Sequence, residues 1–478
     1  MKRLFWLFLF ALLITVGVAA LYWFGAPRLV SFTPNDAAFN VPAGASLQLT
    51  FSQYMQMESV AGHLRIEPAQ LGSITWQDKT LIFTPGEPWP VGESIRIELA
   101  PGSRAAHWPS LAMRQGTSWT FTLTRPQLVY LYPASGPANL YMLDPINGEV
   151  SQLTNIPRGV LEYDANRDGK AIFFSVGNNL GGSDIYRLDL QEKKVIGEPK
   201  LVLDCQLVEC RAPSISSKMD WLAFEIIDPS GSGKLNYQRV WYLSLKADEA
   251  VINPLTIPTP NLINEAILAG ETEHNTINPN WSPSGWLSFY DIDIEAFIFL
   301  NPNNGARMSY PNQTGEPGSW DPSGEAYIAP EITFDTSSNP TSAPGLTQFA
   351  SSRLMLFNLL DGSTQDLTRS PDIEDTSPAF SPDGSFLAFA RKFLDVKRWT
   401  PGRQLWIMRA DGSQARGLTN NPNINYYDFD WDPSGSQLAV VRFDQTAMVE
   451  APEIWLIDPL TSATSQWIVG GYAPLWIR

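Results

Sequence analysis

The chain has 478 residues, enough for two or three domains, and its 44% hydrophobic content with 17 Trp and 38 Pro is typical of a turn-rich, aromatic β-protein. Its formal net charge of −16 at pH 7 argues against the clustered lysines and arginines of a nucleic-acid surface. We therefore expect no nucleic-acid partner and a well-solvated acidic surface.

The N-terminus has the pattern of a membrane anchor. Lys2 and Arg3 precede an uncharged run from Leu4 to Phe24, which as a helix rising about 1.5 Å per residue is long enough to cross a bilayer. A cleavable signal peptide is the alternative, because Val18-Ala-Ala20 offers small residues for cleavage. We favour an uncleaved anchor, because the apolar run continues past these alanines. Either interpretation exports the bulk of the chain.

The segment after the anchor predicts an antiparallel β-sandwich. Short alternating runs such as Leu47-Gln-Leu-Thr-Phe51 and Ser94-Ile-Arg-Ile-Glu-Leu99 are separated by Pro, Gly and Asp. The segment resembles the bacterial Ig-like domains of the SbsA type. The residues that carry this resemblance are Phe32-Thr-Pro34, Leu49-Thr-Phe-Ser52 with Met55, Phe83-Thr-Pro85 with Val91-Gly92, and Trp119-Thr-Phe121. Such domains are commonly spacers or adhesive modules, so the resemblance implies location more than chemistry.

The chain contains two cysteines, Cys205 and Cys210. With only two sulfurs and no histidine nearby, a zinc site is not expected. In an exported protein they could form a local disulfide or remain two free thiols, and the sequence leaves both alternatives open.

From residue 127 onward a strand–turn–strand unit recurs. In its clearest copy the turn Ser381-Pro-Asp-Gly384 is followed by Phe386 to Ala390, a strand that is apolar on both faces. Related turns follow Trp281, Trp320 and Trp431. Because these tryptophans and Trp476 recur at one register, we predict that they pack between repeats and do not stack on sugars.

This repeat predicts a β-propeller. We count seven outer strand pairs but only six complete inner strands, and the seventh inner strand is Ala473-Pro-Leu-Trp-Ile-Arg478 at the C-terminus. It should pair with Leu128-Val-Tyr-Leu131 and close the ring, whereas a linear solenoid would need capping repeats at both ends. The predicted fold is therefore all-β, with seven blades closed by the C-terminal strand and six blades as the alternative.

The Ser-Pro-Asp-Gly turn, the buried strand after it and the outer pair from Gln404 to Thr419 resemble the TolB-type propeller repeat. The resemblance implies a binding platform outside the cytoplasmic membrane. TolB itself has six blades and an N-terminal α/β domain, whereas this chain has an Ig-like module and seven counted blades, so TolB's role in envelope integrity is not inherited automatically. The predicted domains are a cytoplasmic tip with a membrane anchor at 1–27, an Ig-like sandwich at 28–126 and a TolB-like propeller at 127–478.

The predicted binding residues lie on one face of the propeller. Turns between first and second strands are tight, whereas loops between second and third strands are long, and long loops on one face usually mark the functional face of a repeat fold. One basic, aromatic loop on this face is expected to contact an anionic partner, such as an acidic peptide or a cell-wall polymer. The simpler interpretation is a solvated loop with its charges offset by Asp395. The loop residues are Arg391, Lys392, Lys397, Arg398, Trp399 and Arg403.

A second candidate is the segment Asp164-Ala-Asn-Arg-Asp-Gly169, whose Asp164, Asn166 and Asp168 could offer oxygens to a structural Ca²⁺. The twelfth position is Ser175 where a calcium loop has Glu, and the register makes the segment a hairpin turn. Turn chemistry alone is the favoured explanation, and no other cofactor is expected.

Catalysis is not expected. The chain has three histidines and no Gly-x-Ser-x-Gly elbow. We predict a single-pass cell-membrane protein, anchored by residues 4–24, whose extracytoplasmic propeller binds protein or cell-envelope partners. The alternative is a propeller enzyme, lyase or hydrolase-like, acting on polysaccharide or peptide from a site in the channel.

Overall fold

The computed structural model describes residues 25–41, 44–90, 93–123, 125–191, 193–228, 237–245, 262–336, 348–447 and 451–478. The chain divides between Arg125 and Pro126 into two compact units. The predicted membrane segment, Leu4 to Phe24, lies outside the described residues. Within the described ranges, no helix is both long and apolar enough to cross a membrane.

The described part of the first unit contains β1 (Leu29–Thr33), β2 (Ala38–Val41), β3 (Leu47–Phe51), the short helix α1 (Met57–Ala61), β4 (Leu64–Glu67), β5 (Gly72–Gln77), β6 (Thr80–Pro85), β7 (Ser94–Leu99) and β8 (Thr117–Leu123). They form two four-stranded sheets with the orders β1-β3-β6-β5 and β2-β8-β7-β4. Alternate residues of β3 are buried because successive side chains of a strand point to opposite faces. The core also buries Trp89 and Trp119. The unit is the predicted β-sandwich.

The described strands of the second unit group into antiparallel sets of four, called blades 1 to 7, and a single parallel pairing joins blade 2 to blade 3 and another joins blade 5 to blade 6. Blade 1 begins with β9 (Gln127–Tyr132), β10 (Asn139–Asp144) and β11 (Glu149–Gln152). Blade 2 has β12 (Tyr163–Ala165), β13 (Ala171–Gly177), β14 (Ser183–Gln191) and β15 (Lys194–Leu203). Blade 3 has β16 (Glu209–Ile215), β17 (Trp221–Asp228), β18 (Tyr237–Ser244), a short 3-10 helix (Leu262–Glu265) and β19 (Ile267–Leu268).

The remaining blades continue the same order from inner to outer strand. Blade 4 has β20 (Thr276–Trp281), β21 (Leu287–Asp291), β22 (Ala296–Leu300) and β23 (Arg307–Pro311). Blade 5 has β24 (Ser319–Trp320), β25 (Ala326–Thr336), β26 (Gln348–Asn358) and β27 (Thr364–Asp366). Blade 6 has β28 (Ile373–Phe380), β29 (Phe386–Phe393), β30 (Gln404–Arg409) and β31 (Arg416–Gly417). Blade 7 has β32 (Ile424–Trp431), β33 (Leu438–Asp444), β34 (Glu453–Ile457) and β35 (Thr464–Val469).

The last strand, β36 (Tyr472–Ile477), completes blade 1. It pairs antiparallel with β9, with Tyr472 opposite Leu131 and Ile477 opposite Gln127. The strand pairing among the described residues thus gives seven blades and not the alternative six, and the predicted closure by the C-terminal strand is confirmed. In a ring closed in this way, both ends of the repeat array are paired within one blade, so neither end needs a capping repeat.

The inner-strand tryptophans pack between blades, as predicted. Trp281, Trp320, Trp431 and Trp476 are all buried. The Trp281 indole donates to the carbonyl of Ser214 at 3.1 Å, and the Trp431 indole donates to the carbonyl of Ala379 at 2.9 Å. Each of these two bonds reaches the inner strand of the preceding blade, so these side chains join neighbouring blades.

The Ser-Pro-Asp-Gly turn is fixed by its own side chains. The Ser381 hydroxyl donates to Asp383 at 2.6 Å and accepts the N–H of Phe386 at 2.9 Å. Gly384 takes a φ of +70°, which glycine adopts without steric cost. The corresponding turns also contact one another, as where the Ser284 hydroxyl donates to the Gly324 carbonyl at 2.7 Å. The recurring motif is therefore a packing unit.

Five inner strands carry a β-bulge at the same register. The bulged residues are Ala212, Asn278, Ser377, Asp428 and Ala473, with φ between +46° and +59°. Proline follows four of them, and because proline has no N–H it fits where the ladder of hydrogen bonds is interrupted. The bulge shifts the pairing by one residue in each strand, which determines the charge contacts described next.

Candidate functional site

Arg391, the first residue of the predicted basic loop, is a buried structural residue. Its guanidinium donates two hydrogen bonds to the Asp375 carboxylate, from Nε to Oδ1 and from Nη2 to Oδ2, both at 2.7 Å. It also lies 4.9 Å from the ring centroids of Phe389 and Trp406. The side chains of Arg391 and Asp375 are 9% and 0% exposed. Arg391 is therefore not available to a partner, which corrects the prediction for this residue.

Two further arginines of the loop are also paired. Arg403 forms an ion pair with Glu374, which precedes Asp375 on β28. Arg398 donates to Asp395 at 2.6 Å, and its guanidinium lies 4.1 Å from the ring centroid of Phe393. The simpler interpretation of the loop, in which acidic neighbours such as Asp395 offset the basic charges, describes these residues better than an anion-binding cluster does.

What the loop exposes is mainly apolar. Val396 is 98% exposed, Trp399 54% and Leu394 37%. Lys397 is exposed as well, and the ammonium of Lys392 lies 4.8 Å from the ring centroid of Trp399. We call Leu394, Val396, Lys397 and Trp399 the loop tip. It belongs to the connection between second and third strands of blade 6, on the face of long loops. Sequence reasoning overlooked the two aliphatic residues, although their presence in a polar loop was a usable signal.

The predicted calcium residues serve the blade 2 hairpin. Asp164 accepts the N–H of Ile215 at 2.8 Å, across to the inner strand of blade 3. Asn166 accepts the N–H of Asp168 at 3.1 Å and donates to the carbonyl of Ser217 at 3.1 Å. No group of three or more His, Cys, Asp and Glu in the described ranges could hold a metal ion. The contacts favour the turn interpretation over the calcium site.

Cys205 and Cys210 are joined by a disulfide, one of the two alternatives that the sequence left open. Both residues are buried, Cys205 in the link between blades 2 and 3 and Cys210 on β16, the inner strand of blade 3. The N–H of Cys205 donates to the Asp184 carboxylate at 2.9 Å, which holds the start of this link against β14.

A cluster that sequence reasoning missed lies beside the closing strand. Two carboxylates accept backbone N–H groups from the next blade: Glu162, which precedes the inner strand of blade 2, accepts the N–H of Ala212 at 2.7 Å, and Asp430, on the inner strand of blade 7, accepts the N–H of Trp476 at 2.6 Å. Asp430 also accepts Arg167 Nη1 at 2.7 Å. We call Glu162, Tyr163, Asp164, Arg167, Asp428 and Asp430 the channel cluster. Its contacts hold blade 2 to blade 3 and blade 7 to blade 1.

Asp428 is the member of the channel cluster with the most altered ionisation. The residue is exposed to solvent, yet desolvation of its carboxyl by the surrounding protein, together with the charge of Asp430, raises its pKa to about 7. The N–H of Ala473, on the closing strand, donates to Asp428 and opposes the shift. The hydroxyl of Tyr163 lies 2.5 Å from the Ala473 carbonyl, and burial raises the pKa of Tyr163 well above its usual value.

This shift makes the stability of the protein depend on pH. Because the pKa of Asp428 is near 7 in the fold and near 3.8 in the unfolded chain, only the unfolded chain loses this proton between about pH 4 and 7. The stabilisation is complete below this window and is lost as the pH rises through it. We expect Tm to fall from pH 4.5 to pH 7.5, and Asp428→Asn to reduce that fall, measured by differential scanning fluorimetry.

Asp411→Asn is the matched control for Asp428→Asn. The Ser413 hydroxyl lowers the pKa of Asp411 by hydrogen bonding, so neutralising Asp411 should not reduce the fall in Tm. An unchanged fall in the Asp428→Asn variant would contradict the assignment.

The three histidines have separate surroundings. His274 Nδ1 lies 2.8 Å from the carboxylate of the buried Asp291, and this hydrogen bond raises the pKa of His274. His63 bonds the Ser59 carbonyl through Nδ1 at 2.6 Å. His107 packs edge-on against a tyrosine ring at 5.7 Å. His63 and His107 belong to the first unit and His274 to blade 4.

The sandwich and its sequence define a bacterial Ig-like domain. Residues 25–123 match the family model described as bacterial Ig-like domain, Big_5, which confirms the resemblance predicted for this segment. The match covers the first unit and does not extend into the propeller. No curated protein matches the chain.

Solved structures with a similar fold include propellers of different functions. TolB from Acinetobacter baumannii is 10% identical, with 94% of this chain and 99% of that chain covered and a TM-score of 0.41. A TolB-type protein from Agrobacterium tumefaciens is 15% identical, with 73% and 91% covered and a TM-score of 0.38. An oligogalacturonate lyase from Vibrio parahaemolyticus is 14% identical, with 65% and 73% covered and a TM-score of 0.40. At these identities the likeness concerns the fold alone.

Proposed function

We propose that this protein is a non-catalytic binding protein that uses the loop tip of its propeller to bind a protein partner. The observation that carries the proposal is the exposure of Val396 and Trp399 on one ordered loop. Burying apolar surface contributes about 25 cal/mol per Å², and tryptophan is enriched among the hot spots of protein interfaces.

The paired charges support this proposal by holding the tip in place. Arg391 at the start of the loop binds Asp375, and Arg403 at its end binds the adjacent Glu374, so both ends are fixed to one strand. A loop that is already ordered loses less conformational entropy when a partner binds. The charges predicted to contact the partner thus have an indirect role in presenting the tip.

A protein partner fits the tip better than an anionic envelope polymer. Recognition of a polyanion rests on several cations that can reach it, whereas Arg391, Arg398 and Arg403 are engaged with carboxylates. The exposed Lys397 supplies one cation at the edge of an apolar tip.

We further propose that residues 4–24 anchor the chain in the cell membrane as a single pass, with the bulk of the chain outside the cytoplasm. The uncharged run that follows Lys2 and Arg3 supports this orientation. The Cys205–Cys210 disulfide is consistent with it, because disulfides persist in oxidising compartments and are rare in the cytosol.

The alternative, a propeller lyase or hydrolase with its site in the channel, is less favoured. The channel cluster contains acid–base groups, including Asp428 with its altered pKa. Glu162, Asp164, Asp428 and Asp430 all accept N–H groups from the next blade, however, which gives them a structural role.

The test is partner capture with variants of the tip. We expect Val396→Asp and Trp399→Ala each to reduce recovery of the partner from detergent-solubilised envelopes at least about tenfold, as for residues worth 1.4 kcal/mol or more. Leu460→Asp is the matched control, since Leu460 is 77% exposed but lies on the opposite face, in the turn between β34 and β35. If recovery of the partner falls equally in all three variants, or falls in none of them, the proposal is contradicted.

A further inference from the structure

One end of the Ig-like unit exposes large apolar side chains. Trp108 is 92% exposed, Met57 59% and Tyr54 44%. The segments that carry them are bonded to each other, because the N–H of Ala106 donates to the carbonyl of Tyr54 at 2.8 Å. We call Tyr54, Met57 and Trp108 the apolar end. Clustered exposed residues of this size are uncommon on a soluble surface and usually mark an interaction site.

The chain enters the unit at this same end. The side-chain amide of Gln53 donates to the carbonyl of Gly25 at 2.9 Å, and the N–H of Arg28 donates to the Ser52 hydroxyl at 3.2 Å. Gly25 directly follows Phe24, where the predicted membrane segment ends, and consecutive Cα atoms lie only 3.8 Å apart. A membrane crossed by that segment therefore lies within a few residues of the apolar end.

Basic groups accompany the apolar side chains. The ammonium of Lys79 lies 5.6 Å from the ring centroid of Tyr54. Arg28 and Arg104 are exposed, and the carbonyl of Arg104 accepts the N–H of Gln56 at 2.9 Å. Trp and Tyr prefer the interface between lipid and water, and nearby cations are attracted to anionic headgroups. Acidic groups also lie here, because the Tyr54 hydroxyl donates to Asp78 at 2.5 Å and Glu58 is exposed. The combination of aromatic and basic side chains fits a bilayer surface.

We propose that Tyr54, Met57 and Trp108 insert into the headgroup region of the membrane that carries the anchor, so that the Ig-like unit rests on the bilayer. This inference depends on the proposed anchoring by residues 4–24 and adds a second lipid contact to it. A bilayer is favoured over a protein occupant because the entry of the chain brings the membrane to this end. A second contact would fix the orientation of the unit relative to the bilayer.

The experiment places a nitroxide on the apolar end of the full chain. The only two cysteines of the sequence are bonded to each other, so Met57→Cys provides a single labelling site. Leu71→Cys is the matched control, because Leu71 is 89% exposed and precedes β5, whose other end leads to the Lys79 turn. Both proteins are reconstituted in vesicles of phosphatidylcholine and phosphatidylglycerol. The accessibility of the label to oxygen and to a water-soluble nickel chelate is then measured by electron paramagnetic resonance.

The inference predicts high oxygen and low nickel accessibility at position 57, and high nickel accessibility at position 71. Adding Trp108→Ser and Tyr54→Ser to the Met57→Cys chain should raise nickel accessibility at position 57 severalfold. If the chains float with the vesicles but nickel accessibility at position 57 equals that at position 71, the inference is overturned, while the proposed membrane anchor is still supported. Low accessibility to both reagents would indicate a protein contact, including a second copy, and would also overturn it. Chains that fail to float would contradict the anchoring itself.

Discussion

Replacing Arg391 by Ala is expected to lower the free energy of unfolding by about 3–5 kcal/mol, because it leaves the buried Asp375 without its counterion. The substitution also removes the two hydrogen bonds of 2.7 Å and the contacts of the guanidinium with the two flanking aromatic rings. Burial raises the pKa of Asp375 and the guanidinium opposes this, so the loss should become smaller as the pH is lowered and the carboxyl takes up a proton. Urea unfolding followed by tryptophan fluorescence measures the change.

Arg398→Ala is the control on the same loop. Its ion pair with Asp395 is solvent-exposed, with the Arg398 side chain 53% accessible, and such pairs contribute at most about 1 kcal/mol. Similar losses in the Arg391 and Arg398 variants would show that burial does not distinguish the two pairs, and the structural role of Arg391 would be wrong.

Replacing Trp476 by Ala is expected to lower the free energy of unfolding by about 3–5 kcal/mol, as for other large buried aromatic residues. Trp476 is 1% exposed and packs among Leu128, Val441 and Leu456, which belong to blades 1 and 7. Removing the indole would leave a cavity at the point where the last strand closes the ring. We expect limited proteolysis to cut the variant first near the C-terminal strand, because its pairing with β9 is the only strand ladder that joins the two ends of the ring in the described residues.

Trp399→Ala serves as the control for Trp476→Ala. Trp399 is half exposed at the loop tip, so its removal should change stability by no more than about 0.5–1 kcal/mol. A Trp476→Ala protein as stable as the Trp399→Ala protein would contradict closure by the C-terminal strand.

The fold could be predicted from the sequence because its signals are local. A Ser-Pro-Asp-Gly turn and a strand apolar on both faces specify a hairpin by themselves, and their recurrence implies a ring. The position of Ala473 to Arg478 could be predicted for the same reason, since it repeats the start of an inner strand without the hairpin that should follow.

The role of the basic loop could not be predicted in the same way, because it depends on the bulge. Phe380 pairs with Leu387 beside the turn, and if this register of β28 and β29 continued without a bulge, Thr376 would lie opposite Arg391. The positive φ of Ser377 inserts one residue, and Asp375 then lies opposite Arg391. The pair that decides whether Arg391 is free or buried therefore follows from a backbone feature that the sequence marks only by the following proline.

The channel cluster was missed for a related reason. Its contacts join residues far apart in the chain, such as Asp430 and Arg167, which lie on blades 7 and 2. Only ring closure brings these blades to the two sides of blade 1. The sequence pattern of Asp164 to Gly169 suggested a calcium loop, whereas Asp164 accepts an N–H group of Ile215 that becomes available when blade 3 packs beside it, and Asn166 accepts the N–H of Asp168 within the turn.

The most direct test of the account is crosslinking on intact cells with a membrane-impermeant, amine-reactive reagent, followed by mass spectrometry. Lys397 at the loop tip and Lys170 beside the blade 2 hairpin turn are both exposed, and they lie on opposite faces of the propeller. We expect a protein partner to be crosslinked through Lys397 and not through Lys170, and Val396→Asp to abolish the crosslink. Crosslinks to a partner through Lys170 alone, or reaction of neither lysine until the cells are lysed, would contradict an extracytoplasmic propeller that binds through its loop tip.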